Sequence, residues 1–221
     1  MMTMRLNFVE DIDIDISNWQ QSISMASYGI NWKDFLPDDI TADNVKDTDH
    51  IKKYLEEKYY KSGKIANYKK WLKSAVDSSQ IQSDLEYLIG REIIIKKINV
   101  YITTFNRAPY SVEGSLFYLM HRSINRERSI TNIYHECMHF IFHIFYWKKC
   151  KKAGLSEWQI HNLKECVTVL LNSILEKRGL PLDYGYPKHQ ELRKKLADIW
   201  MAKKWEFEDF LHEVLKSKLI F

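Results

Sequence analysis

The chain has 221 residues, is 45% hydrophobic and 14% aromatic, and contains only 7 Gly and 4 Pro. This composition excludes a disordered or low-complexity chain and supplies apolar material for a sizeable core. Basic residues exceed acidic ones by 33 to 29, a formal charge of +4 that is spread along the chain and gives no reason to expect nucleic-acid binding.

The first seventeen residues, MMTMRLNFVEDIDIDIS, lack the basic start and apolar run of a secretory signal. No run of about 18 apolar residues exists, so no membrane span is expected. Three cysteines, Cys137, Cys150 and Cys166, are odd in number and form no C-x-x-C pair. They argue against a disulfide framework and a zinc ribbon, and for a reducing cytoplasm.

Arg5 to Ile16 alternates polar and apolar residues, which predicts a strand. Asn31 to Asp49 is polar and turn-rich around Pro37. From Asp49, Ile51, Tyr54, Leu55 and Tyr59 recur at helical spacing until Gly63 interrupts them. Tyr68, Trp71, Leu72 and Ala75 predict a second helix, and Ile81 to Ile89 a shorter one. These residues form an expected helical cover over positions 1–90.

The texture changes at Gly90. Glu92 to Thr104 (EIIIKKINVYITT) is rich in β-branched residues and predicts a strand. A loop from Asn106 to Gly114 contains Pro109, and Ser115 to His121 predicts a second strand. Ser129 is the expected N-cap of a long helix through Trp147 that holds no Gly or Pro. Ile133, Cys137, Phe140, Ile141, Ile144 and Phe145 make it apolar on nearly every face, as in a buried helix. Gly154 suits the following turn. Ser156 with Gln159 forms a capping-box pattern, and Gly179 with Pro181 a stop signal, around a stripe from Ile160 to Ile174. A loop, Pro181 to Pro187, then leads into amphipathic helix that includes Leu192, Leu196, Trp200 and Phe210.

The long helix contains His135-Glu136-Cys137-Met138-His139, an H-E-x-x-H pattern. Independent placement of the 8 histidines and the glutamates would produce it only about 0.02 times. Residues four apart share a helix face, so both imidazoles reach one metal ion. Glu136 is turned by about 100°. There it can take a proton from water activated by the metal. Two histidines and a glutamate on so apolar a helix need partners if buried.

These residues resemble the zincin metallopeptidases, whose pattern is a strand-bearing lobe, an H-E-x-x-H helix and a third ligand downstream. The resemblance of layout runs from about Glu92 to Ile174. Metzincin-like members carry a glycine and a third histidine where this chain has Phe142 and Phe145, so that subgroup is rejected. The gluzincin-like arrangement takes a glutamate from a second helix, which implies Glu165. Positions 139 and 165 are equidistant from a turn centred near Lys152, so an antiparallel helix pair places them at one level. His161 and Glu157 are the competing third ligands. His143 lies about 12 Å along the helix from His135. That is too far to share one ion with both motif histidines, although positions 143 and 161 are equidistant from 152 as well. Cys137 and Cys166 are read as small core residues.

The resemblance further implies an oxyanion donor downstream, for which Tyr184, Tyr186 and His189 are candidates, and an edge strand that pairs with substrate, for which Ser115 to Met120 is the candidate. The expectation is one α+β zincin-like domain over residues 1–221, mostly helical, with a small sheet beside a buried active-site helix. Its function would be zinc-dependent hydrolysis of peptide or protein substrates in the cytoplasm, with Zn²⁺ held by His135, His139 and Glu165 and Glu136 as general base. The rivals are a non-enzymatic zincin-like sensor and a helical protein-interaction module.

Overall fold

The computed structural model describes residues 3–27, 29–122, 124–203 and 206–217. The chain is α+β, mostly helical with a small mixed four-stranded sheet. Among the described residues no helix is long and apolar enough to cross a membrane. The chain forms two compact units that interleave along the sequence. A sheet unit comprises Arg5–Asp77 and Lys96–Ser129. A helical unit is built mainly from Ser78–Ile95 and the described residues from Ile130 onward.

The sheet unit opens with β1 (Arg5–Val9), and the chain then turns helical as α1 (Ile12–Ser22). The predicted strand therefore ends early. Asp11 caps α1, its carboxylate accepting from the Asp13 and Ile14 amides at 3.0 and 3.2 Å. Asp13 and Asp15 sit in the first turn, at the positive end of the helix dipole. This capping chemistry outweighs the two-residue period of the I-D-I-D-I stretch. The short strands β2 (Ala26–Ser27) and β3 (Ile30–Asn31) pair antiparallel.

The expected loop from Asn31 to Asp49 holds a 3-10 turn, Trp32–Phe35, and a short helix, α2 (Ala42–Lys46), started by a capping box between Thr41 and Asn44. Next comes α3 (Thr48–Leu55), capped by Asp47. It runs into a π turn, Glu56–Tyr60, where the Lys61 amide bonds the Glu56 carbonyl at 2.7 Å, five residues back. Gly63, at φ 72°, supplies the left-handed residue that starts α4 (Lys64–Ala75).

The predicted strand from Glu92 is reduced to β4 (Lys97–Thr103). β5 (Tyr110–Ser111) and β6 (Leu116–Met120) complete the sheet, in the order β1-β4-β6-β5. β1 and β6 both run parallel to β4, with Arg5 opposite Lys97 and Asn99 opposite Leu116. β6 is not the free edge expected for substrate pairing. β5 covers it from Ser111 and Tyr110, and the Pro109 carbonyl accepts from the Tyr118 amide at 2.8 Å.

Ile16 and Trp19 of α1, Val45 of α2, Ile51 and Leu55 of α3, and Phe105 just after β4 form a core. Burying each such side chain contributes about 1.5–3 kcal/mol. Trp19 also donates its indole N–H to Thr104 Oγ1 at 2.9 Å.

The helical unit contains α5 (Ser78–Ile89) and most of α6 (Glu127–Ile141). α6 starts two residues before the expected cap. Ser129 lies inside its first turn, and its hydroxyl instead accepts from Tyr68 Oη at 2.5 Å. After α6 a second π turn, Phe142–Tyr146, leads into α7 (Trp147–Lys152). Gly154, at φ 90°, makes the turn to α8 (Glu157–Val167), which carries the predicted capping box on Ser156 and Gln159. A 3-10 turn, Thr168–Leu171, precedes α9 (Asn172–Lys177), and α10 (Gln190–Ala202) and α11 (Phe207–Lys216) follow the Pro181–Pro187 loop. Arg178 grips Asp84 of α5 at 2.6 and 3.0 Å, and Tyr134 of α6 donates to the same carboxylate at 2.6 Å.

Candidate metal centre

The centre lies within the helical unit. Around it α6 buries Ile133, Cys137, Met138, Phe140 and Ile141. α8 buries every residue from Asn162 to Val167, which places Lys164 and Glu165 in the interior. The turn at Gly154 folds the two helices back on each other, as the register argument required.

His135 Nε2 and His139 Nε2 each lie 3.5 Å from the same atom, Glu165 Oε2. The rings are 4.3 Å apart and inclined at 67°. Two atoms bound about 2.1 Å from one tetrahedral ion stand about 3.4 Å apart. The two 3.5 Å separations match those of donors on one zinc-sized cation. Glu136 completes a group with the two histidines whose ligand atoms all lie within 4.8 Å of one another. Its Oε2 is buried and has no hydrogen bond among the described residues, with His139 Nδ1 at 3.4 Å. A buried carboxylate oxygen left unsatisfied is costly unless something else approaches it.

Two residues that sequence reasoning did not assign complete the surroundings. Asp183 Oδ1 faces His135 Nδ1 at 3.2 Å, a carboxylate that can orient this imidazole. Its amide donates to Asn172 Oδ1 at 2.7 Å. Arg193 donates to Asp183 Oδ2 at 3.1 Å and to Thr168 Oγ1 at 2.7 Å. Gly185, at φ 61°, keeps this fork open, because a Cβ there would lie 2.9 Å from an Arg193 guanidinium nitrogen. The other residue is Lys164, only 1% exposed. It donates to Glu165 Oε1 at 2.5 Å and stands 3.2 Å from both ring nitrogens of His139.

The charges are tightly coupled. Burial would lower the His135 imidazole, but the Asp183 charge and hydrogen bond, with Glu165 and Glu136, raise it to about 10. Burial and the Lys164 ammonium lower His139. Burial would raise Glu165, yet His139, Lys164 and His135 hold it well below the usual carboxylate range. Asp183 is likewise depressed, because His135 and Arg193 outweigh its burial.

The remaining candidates separate from this group. His143 stacks on Trp147 at 4.3 Å and meets His161 edge-on at 6.5 Å between centroids. The π turn carries His143 into this aromatic contact. Glu157 is exposed near the turn and pairs with Lys151 at 2.7 Å. Tyr184 is 62% exposed. Tyr186 packs edge-on against His189, and buried His189 sets Nε2 3.0 Å from Asn162 Oδ1. Cys137, Cys150 and Cys166 are buried free thiols, and burial pushes Cys166 up to about 12. That suits core residues better than thiolate ligands.

No protein-family model matches the chain, and neither a curated protein nor a solved structure matches it.

Proposed function

We propose that the chain is a zinc-dependent peptidase whose metal is held by His135, His139 and Glu165. The observation that carries this reading is the shared approach of both imidazole Nε2 atoms to Glu165 Oε2 at 3.5 Å. When bound there, zinc supplies a Lewis acid that polarises a carbonyl and acidifies water.

The chain's own residues do the rest. Glu136, with its unsatisfied Oε2, takes a proton from the attacking water and returns it to the leaving amine. Asp183 accepts from His135 Nδ1 and directs Nε2 toward Glu165. Lys164 engages Glu165 Oε1 and leaves Oε2 to the imidazoles. Among the three candidate oxyanion donors only His189 is buried, its Nε2 3.0 Å from Asn162 Oδ1 of α8. His139 and Glu165 are buried and His135 and Glu136 half-buried, which limits the access of bulk water and strengthens these contacts.

The test pairs metal content with hydrolysis of a peptide library. Wild type is expected to carry about one zinc per chain. Glu136→Gln should retain it and lose about 10²- to 10⁴-fold in kcat. A wild type that holds no zinc after loading and removal of excess would overturn the proposal.

One observation favours a second reading, a non-catalytic interaction or sensing module. Lys164 already gives Glu165 a buried cationic partner without any metal. In that reading Lys164→Met, which removes the partner, destabilises the protein whether or not zinc is supplied. In the peptidase reading added zinc restores the lost stability.

A further inference from the structure

The sheet unit contains a cavity of 380 Å³. Its volume falls in the range of small-molecule pockets. Its floor is formed where the parallel strands end. Thr104 follows the last residue of β4, Met120 is the last of β6, and His121 comes next. Ligands of open parallel sheets bind outside these carboxyl ends.

Its walls come from irregular backbone. Lys58 and Tyr59 belong to the π turn after α3, and Lys64 is the first residue of α4. π turns are rare and recur at functional sites. The N-cap of α4 is Gly63, which offers no side-chain cap, and no acidic residue occupies its first turn. Both leave that helix end electropositive.

The lining has a consistent chemistry. Trp19, Phe35, Tyr59 and Phe105 supply aromatic surface. Lys58 and Lys64 supply the charge, and His121, whose imidazole burial and Lys64 hold below its ordinary value, supplies a ring N–H donor. Among the described residues that line the cavity, none is acidic. Lys58 is tied to Tyr54 Oη and to Asp39 Oδ2 at 3.4 Å. Lys64 forms no ion pair among the described residues and lies 5.6 Å over the Tyr59 ring. His121 has rings on two sides, Tyr59 at 5.9 Å and Tyr68 at 5.1 Å between centroids.

We infer that this cavity binds a small organic anion, a phosphate or carboxylate group on an aromatic or other flat apolar body. The head is recognised by Lys64 and His121, and the body lies against the aromatic wall. The site is separate from the residues of the metal centre and does not depend on the peptidase reading.

Titration calorimetry of the full chain tests this with phenyl phosphate and phenylacetate, against inorganic phosphate and benzyl alcohol. At least one of the two aromatic anions should bind saturably with a Kd of about 1 mM or tighter, and which one binds identifies the head group. Inorganic phosphate and benzyl alcohol should each bind at least tenfold more weakly. Lys64→Glu reverses an exposed rim charge, and Asn106→Trp fills the mouth from an exposed position. Each should weaken binding at least tenfold while zinc content stays at the wild-type value. The inference fails if neither aromatic anion saturates, if either control binds as tightly, or if neither variant changes the affinity.

Discussion

Asp15 of the sheet unit and Glu165 of the helical unit are both buried carboxylates, 1% and 6% exposed, and their neighbours differ in kind. Asp15 is surrounded by hydrogen-bond donors that carry no charge. It accepts from Thr103 Oγ1 at 2.7 Å, the Thr104 amide at 3.0 Å, Thr104 Oγ1 at 2.8 Å and Tyr60 Oη at 3.3 Å. Burial outweighs these bonds and raises its carboxyl. Glu165 faces an ammonium and two imidazoles, and its carboxyl is depressed. The first arrangement pins α1 to the end of β4 and offers nothing a cation could exchange with. The second sets Glu165 among an ammonium and two imidazoles, the arrangement on which the metal proposal rests. Burial alone therefore does not distinguish the two carboxylates; the nature of their partners does.

Substitutions can break this contrast. If the proposed metal site is right, Glu165→Ala should weaken zinc binding by more than about 100-fold, because it would remove a direct ligand rather than an outer one. Competition with a chromophoric chelator measures it. Asp183→Asn should weaken binding by about 10- to 100-fold in the same assay, by loosening His135. Asp15→Asn should leave zinc affinity at the wild-type value but cost about 1–3 kcal/mol of stability. Urea unfolding measures this cost. If Asp15→Asn also lost zinc, the two carboxylates would not be playing separate parts.

Acidity sharpens the contrast. A carboxyl raised in the folded state favours the fold below its unfolded value of about 4, and that advantage is lost as pH rises through the raised value. The stability deficit of Asp15→Asn should therefore be largest in acid and shrink toward neutral pH, as unfolding curves of both proteins over that range would show. The smallest effect expected is that of Ser156→Ala, which removes the cap of α8 and should cost about 1 kcal/mol in the same unfolding experiment.

Much of the centre was legible because helices have fixed periods. The four-residue spacing of His135 and His139 set one face, and symmetry about the turn near Lys152 selected Glu165. The same symmetry brought His143 to His161. Asp183 was hidden because it sits in a loop, where an Asp two residues before a Gly reads as ordinary turn chemistry. Its partner His135 is 48 positions earlier. Lys164 reads as a surface lysine beside Glu165, and only the burial of consecutive α8 residues brings it inside. In the sheet unit the strands β4 and β6 were legible from β-branched and aromatic runs. The stretch after Asp11 was not, because alternation satisfies a strand while a capping carboxylate decides for a helix. The cavity draws on separate segments of the chain and leaves no local pattern.

The reach of Arg193 has a consequence for the order in which the molecule is made. One guanidinium holds the Glu165 carbonyl at 3.1 Å, the Thr168 hydroxyl and the Asp183 carboxylate, and so ties the end of α8 to the loop that orients His135. During synthesis the H-E-x-x-H helix leaves the ribosome more than fifty residues before Arg193 does. Throughout that interval the nascent chain has its motif, and soon afterwards Glu165, but lacks the guanidinium that ties Asp183 to the end of α8. This three-way tie therefore forms only when α10 has emerged, and a chain stalled before that point displays the motif without it.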